Sequence, residues 1–264
     1  MFWSWTTAHR VTVGVLGVLF LLVAAAAGVW WFVLRSPGTP VGLGQALRLY
    51  RANQKGKGAK SAELPPPGVY RYRTTGSEHL SVGGIERGFP RATEMIVTDG
   101  TCTTMTWAPL EQHTEGVVAC PTAGGAVAVH SFLSYEVIAG VATHSAIRCP
   151  TGAWLLPPGA RTGDRWRATC RSGRSPVALR GEVLGEGPLR VAGTTVPAIH
   201  LREVLTFTGA ERGTNPTDYW ISATNGVILR QAETVTLNQS AGPLGTVRYQ
   251  EQMAIALSTL GPAR

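Results

Sequence analysis

From Gly68 to the C-terminus the chain runs in short segments of alternating apolar and polar residues, rich in Val, Ile, Thr and aromatics and punctuated by Gly and Pro. A two-residue period sends every second side chain to the same face of a strand, so the pattern predicts an all-β domain. VYRYR sets Tyr70 and Tyr72 against Arg71 and Arg73. Further strands are expected around 92–98, 101–107, 113–119, 126–133, 137–147, 165–170, 177–184, 188–192, 196–207, 217–223, 227–238 and 246–258. A dozen strands in succession build a meandering antiparallel sheet that curls on itself or closes. An immunoglobulin fold is set aside: the strand count is too high, and Trp107 follows Cys102 by only five residues.

A second pattern precedes the first. Val11 to Leu34 is 24 residues without a charged side chain, which as a helix spans roughly 36 Å, enough to cross a bilayer. Phe2, Trp3 and Trp5 before it and Trp30, Trp31 and Phe32 at its end place aromatics at both expected interfaces. The run is too long for the core of a cleaved signal peptide, so an uncleaved anchor is expected. The chain then divides into a short cytoplasmic tail (1–10), a transmembrane helix (11–34), a basic, proline-bounded juxtamembrane linker (35–67) and an extracytoplasmic β domain (68–264). Within the linker, QALRLYR suggests a short helical turn with Ala46, Leu47 and Tyr50 on one side, able to lie on a membrane surface.

Charge sharpens this division. The net charge is +8, yet Arg10, Arg35, Arg48, Arg51, Lys55, Lys57 and Lys60 supply seven positive charges before the first acidic residue, Glu63. A local collar of this kind suits the bilayer that Val11 to Leu34 would cross. Arg48, Arg51, Lys55, Lys57 and Lys60 are candidates for anionic lipid or wall polymer, and nucleic acid is not expected.

Cys102, Cys120, Cys149 and Cys170 are separated by 17, 28 and 20 residues. None forms the close pairs of a zinc site, so an even, dispersed set predicts disulfides and an oxidising compartment. The positive-inside count opposes that orientation, but long domains translocate largely regardless of loop charge. Of three possible pairings, Cys102 with Cys120 and Cys149 with Cys170 are the simplest.

The last strands carry carboxylates on their apolar faces. Glu203 shares a face with Ile199, Leu201, Leu205 and Phe207. Glu233 shares one with Leu229, Val235 and Leu237, and Glu251 one with Val247, Tyr249, Met253, Ile255 and Leu257. Asn225-Gly226, read as a two-residue hairpin turn, places Asp218 opposite Glu233, and a loop over Ser240 to Leu244 places Glu251 opposite Glu233. Glu203, Asp218, Glu233 and Glu251 are therefore candidates to line a polar cavity; the alternative is a bulge or one-residue slip that turns some of them outward, or arginines from elsewhere that pair with them.

No G-x-S-x-G, H-E-x-x-H or glycine-rich phosphate loop is present, and His79, His113, His130, His144 and His200 show no metal-ligand spacing. Neither catalysis, a metal nor a cofactor is expected. GVYRYRTTG, GDRWRATC, VPAIHLREVLTFTG and DYWISATNGVILRQ together resemble a group of uncharacterised actinobacterial single-pass membrane proteins. Their order is similar, more faintly, to the lipoprotein-carrier folds of cell envelopes. That second resemblance implies a curved, half-barrel-like antiparallel sheet around an apolar cavity. The expected function is a membrane-anchored binding module for lipid or another apolar ligand, with a protein-interaction module lacking a cavity as the alternative.

Overall fold

The computed structural model of the chain describes residues 38–54, 64–122, 124–138, 141–240 and 245–264. The tail at 1–10, the apolar run at 11–34 and Lys55, Lys57 and Lys60 lie outside the described residues. Among the described residues no helix is long and apolar enough to cross a membrane.

The alternating segments form β1 (Gly68–Leu80), β2 (Ile85–Gly88), β3 (Ala92–Thr98), β4 (Thr103–Leu110), β5 (His113–Pro121), β6 (Val127–Ile138) and β7 (Val141–Arg148). They continue as β8 (Trp154–Leu156), β9 (Arg165–Ser172), β10 (Ser175–Val191), β11 (Thr194–Thr208), β12 (Glu211–Ser222), β13 (Ile228–Ser240) and β14 (Thr246–Leu257). Sequential neighbours pair antiparallel around a ring, and β14 returns to pair with β1 over Tyr72–Leu80. The result is a closed barrel of twelve strands rather than a half-barrel. β2 and β8 lie off the ring, on β1 and β6. Closure removes the free edges that an open meander would expose. The two segments expected at 177–184 and 188–192 are one strand, β10, whose register against β11 shifts between Val183 and Gly185.

Alternation fixes what enters the barrel. On β1 the even residues Tyr70, Tyr72, Thr74, Glu78 and Leu80 are buried, while Arg71 and Arg73 are exposed. Tyr70, Tyr72, Leu201, Ile221, Leu229, Met253 and Ile255 fill one half of the interior, with the Tyr72 hydroxyl donating to the Ile228 carbonyl at 2.7 Å.

Residues 38–54 are wall rather than linker. The Val41 amide donates to the Pro109 carbonyl and the Glu111 amide to the Thr39 carbonyl. Helix α1 (Leu43–Asn53) packs Leu43, Ala46, Leu47 and Tyr50 against Val69, Ile96 and Ala108 on the outer face of the barrel. The apolar side assigned to a membrane surface is thus spent on the protein, and Arg48 and Arg51 remain exposed.

The disulfides join the nearest cysteines, Cys102 to Cys120 and Cys149 to Cys170. Each extends a ladder by one position: Thr103 pairs with Ala119 and Arg148 with Arg171. The second staples the weakest seam of the ring, since β7 and β9 share only the Ile147–Ser172 and Arg148–Arg171 pairs. Replacing Cys149 and Cys170 together by serine is expected to cost about 3 kcal/mol in denaturant melts. It should also speed amide exchange at Ile147 and Arg148 first; unchanged exchange there would show that the seam holds without its staple.

The closing seam has its own constraint. Gly76 has φ +132°, and a Cβ on it would lie 2.0 Å from the Gln252 carbonyl oxygen of β14. Gly76→Ala is expected to lower the urea midpoint clearly, whereas Gly88→Ala, with no atom within 4 Å of its new methyl, should change it little. Equal effects would show that close approach at the seam is not what Gly76 provides.

Candidate functional site

Inside the barrel a polar belt crosses the strands next to the apolar half. Glu203, Thr217 and Glu233 are paired in register across β11, β12 and β13. Glu251 on β14 pairs directly with Glu78 on β1, and Glu78 pairs on its other side with Arg87 of β2. All six are buried. Like charges directly opposite destabilise a sheet, and burying them costs more, so the belt must be neutralised from within.

It is neutralised in two ways. At the β1 end, Arg87 Nε lies 2.8 Å from Glu78 Oε1, and His113 Nδ1 lies 2.9 Å from Glu78 Oε2. The Tyr249 hydroxyl bridges Glu78 and Glu251, within hydrogen-bond reach of an oxygen of each and with one proton to share between them. His113 comes from the start of β5, is wholly buried, and sits against the rings of Phe89 and Trp107. At the β13 end, amides substitute for cations: Asn215 Nδ2 donates to Glu233 Oε1 at 2.6 Å and Gln231 Nε2 to Glu233 Oε2 at 3.0 Å.

Proton retention does the rest. Burial pushes the Glu203 carboxyl up to about 8, with Glu233 adding to the shift. Burial likewise pushes Glu251 up to about 8, opposed by His113 and reinforced by Glu233. Glu115 is driven well above the ordinary range by burial and by Glu251 and Glu233. Glu78 goes the other way: burial would raise it, but the His113 hydrogen bond and the charges of His113 and Arg87 hold it below its usual value. Burial works against a charged His113, yet Glu251 and Glu78 outweigh it and raise the imidazole to about 9.

Beside the belt lies a cavity of about 210 Å³. Its apolar lining includes Met95, Met105, Trp107, Phe132, Leu205, Phe207 and Ile228, and its polar lining includes Glu115, Glu136, Glu203, Glu211 and Glu233. No lysine, arginine or histidine lines it among the described residues. The arrangement offers an apolar chamber with acidic groups along its wall, able to hold the body of a small molecule and to hydrogen-bond or pair with a cationic end.

Of the four carboxylates picked out along the sequence, Glu203, Glu233 and Glu251 point inward together. Asp218 does not. The actual register pairs Thr217, not Asp218, with Glu233, because the ladder shifts between Trp220 and Ile221 just before the turn. Asp218 therefore lies on the outer face, bound by Arg202 Nη2 at 2.9 Å and His200 Nε2 at 2.9 Å. Glu251 falls opposite Val235 rather than Glu233, since Ser240 pairs with Thr246 across the loop; a shift of two keeps its face. Sequence reasoning missed Glu78, Arg87, His113 and Glu115. Glu78 was readable on the face of Tyr70, Tyr72 and Leu80, and Glu115 on the face of Val117 and Ala119.

The sign of the pH dependence follows from Glu203. Its carboxyl keeps its proton to about pH 8 in the barrel but only to the ordinary 4.5 when unfolded. Folding therefore takes up a proton between these values, and the contribution to stability is lost as pH rises from 4.5 through 8. Glu203→Gln removes this loss. The variant should gain a few kcal/mol on the wild type between pH 5 and pH 9 in urea melts; a pH-independent difference would contradict the assignment.

No protein-family model matches the chain, and no curated protein matches it. Among solved structures the barrel is similar to the hypothetical lipoprotein YmcC from Escherichia coli (K12). Identity is 10%, the TM-score is 0.32, and the match covers 85% of this chain and 100% of that one. A likeness this distant bears on neither ligand nor activity.

Proposed function

We propose that the barrel is a binding module of the cell envelope that takes a small amphiphile with a cationic or hydrogen-bond-donating end into its interior. The observation that carries this reading is the 210 Å³ cavity, apolar over much of its wall and bordered by five glutamates without a basic side chain. That volume falls below the roughly 300–1,000 Å³ of pockets for drug-sized ligands. It suits one chain end or a compact molecule better than a whole two-chain lipid. An anionic head group would meet Glu203 and Glu233 with no cation to pair with, whereas an ammonium would favour ionising a carboxyl that otherwise keeps its proton.

The four cysteines are all paired, which supports an oxidising compartment. With Val11 to Leu34 as the anchor, the barrel would stand on the outer side of a membrane. A module working only through protein contacts finds less support. Among the described residues the exposed large apolar side chains are only Leu49, Val141 and Leu260, few for an apolar contact surface.

Dodecylamine and dodecanoate make a matched pair of probes. Dodecylamine is expected to bind at least about tenfold more tightly, as one well-placed ion pair permits. Binding should perturb the fluorescence of Trp107 and weaken in Phe132→Trp, which fills the chamber. Equal affinities, or binding that ignores the filled chamber, would contradict the reading.

A further inference from the structure

On the outer face of the barrel, strand register sets several arginines against acids. Arg71 stands opposite Glu94, Arg165 opposite Glu182 and Arg202 opposite Asp218, with closest approaches of 3.7, 2.8 and 2.9 Å. Across β7, β9 and β10 the register does the reverse. Arg148 on β7 is directly opposite Arg171 on β9, and Arg167 on β9 is directly opposite Arg180 on β10. All four are exposed. Alternation aims them outward, since Ile147, Trp166, Cys170 and Leu179, their neighbours in the chain, are buried in the core. Among the described residues none of the four guanidiniums is paired with a carboxylate or held by a hydrogen bond. Like charges directly opposite destabilise a sheet, and here the cost is incurred twice on adjoining ladders.

We propose that the outer face of β7, β9 and β10 is a docking strip for a linear polyanion that carries phosphates. It lies outside the barrel and is independent of the chamber.

The register supplies the geometry. Cα atoms directly opposite lie about 5 Å apart, so each arginine pair can close two guanidinium forks on one phosphate. A phosphate held there turns a repulsion into two charge-assisted contacts. The pairs share β9, where Arg167 and Arg171 are four residues and roughly 13 Å apart. Between them Thr169 and Ala178 face each other in register, and both are small. Two brackets in succession along one strand suit a chain of phosphates rather than one compact anion.

Other occupants fit the face less well. A protein partner is gripped mainly by buried aromatic and apolar anchors, and a bilayer contact adds apolar insertion to charge. Of the exposed large apolar side chains among the described residues, only Val141 lies on these strands, and it has the inward parity of Ile147. The face binds by charge alone.

The test uses the full chain in non-ionic micelles, with the fluorescence anisotropy of end-labelled, long-chain inorganic polyphosphate as the readout. The double variant Arg167→Gln with Arg180→Gln is expected to weaken binding more than about tenfold and to make its salt dependence shallower. The double variant Arg73→Gln with Arg91→Gln removes the same charge from exposed positions beside the β1–β3 ladder, and should weaken binding less than about twofold. Relief of the Arg167–Arg180 repulsion should also raise the urea midpoint of the first variant. No binding by the wild type, equal losses in the two double variants, or a lowered midpoint in the first would overturn the proposal. Polyglutamate and phosphatidylglycerol doped into the micelles serve as competitors. If either displaces the label as well as unlabelled polyphosphate does, charge for charge, the face belongs to an acidic protein or a bilayer, and the proposal falls.

Discussion

The pairing of β14 with β1 governs this molecule. Until that seam forms, the meander is a sheet with two faces and two edges. Once it forms, one face is inside and every residue of that parity is committed to the interior, charged or not. The seam itself sets Glu251 against Glu78, so the step that closes the barrel also places two acids directly opposite each other. Nine successive residue pairs, Tyr72–Leu257 to Leu80–Tyr249, must outweigh it. Gly76 lets the two backbones approach closely enough for them to do so.

The remaining polar architecture answers that conflict. Arg87 reaches Glu78 from β2, a strand whose small size belies its role: it delivers the one guanidinium that the described belt receives. His113 approaches from β5, Tyr249 bridges the two opposed glutamates, and Asn215 and Gln231 hold Glu233. Where these run out, at Glu203 and Glu251, the carboxyls keep their protons. An apolar filling would have made a more stable barrel at lower cost. A belt of acids facing an apolar chamber is an arrangement that a structural core avoids, and the proposed binding role rests on it.

Much of this was legible along the chain because strand parity is a local property. Alternation located the strands of the ring, and the inward faces of β11, β13 and β14 were read with Glu203, Glu233 and Glu251 on them. The disulfides were readable because nearest cysteines flank single hairpins or adjoining strands. Register was not. An ideal two-residue turn at Asn225-Gly226 predicts Asp218 inside, and the shift between Trp220 and Ile221 reverses its face. Glu251 survived a comparable error only because its slip was even. Closure was ambiguous, since it joins residues some 180 positions apart, as Tyr72 and Leu257 are. His113 is illegible in the sequence for the same reason: a histidine is recognised as part of a site by its neighbours, and its neighbours Glu78 and Glu251 come from opposite ends of the domain. The segment at 38–54 looked like linker because its apolar face is short, and only the matching patch of Val69, Ile96 and Ala108 reveals its destination.

The central claim is that opposed acids are enclosed together in a closed barrel and share its few cations. It is tested most directly by following the glutamate side-chain carboxyl carbons by NMR across pH, with assignments from single Glu→Gln variants. Glu203 and Glu251 should titrate near 8, and Glu78 below its ordinary 4.5. If all three titrate together in the ordinary carboxylate range, they face water, and the enclosed belt does not exist.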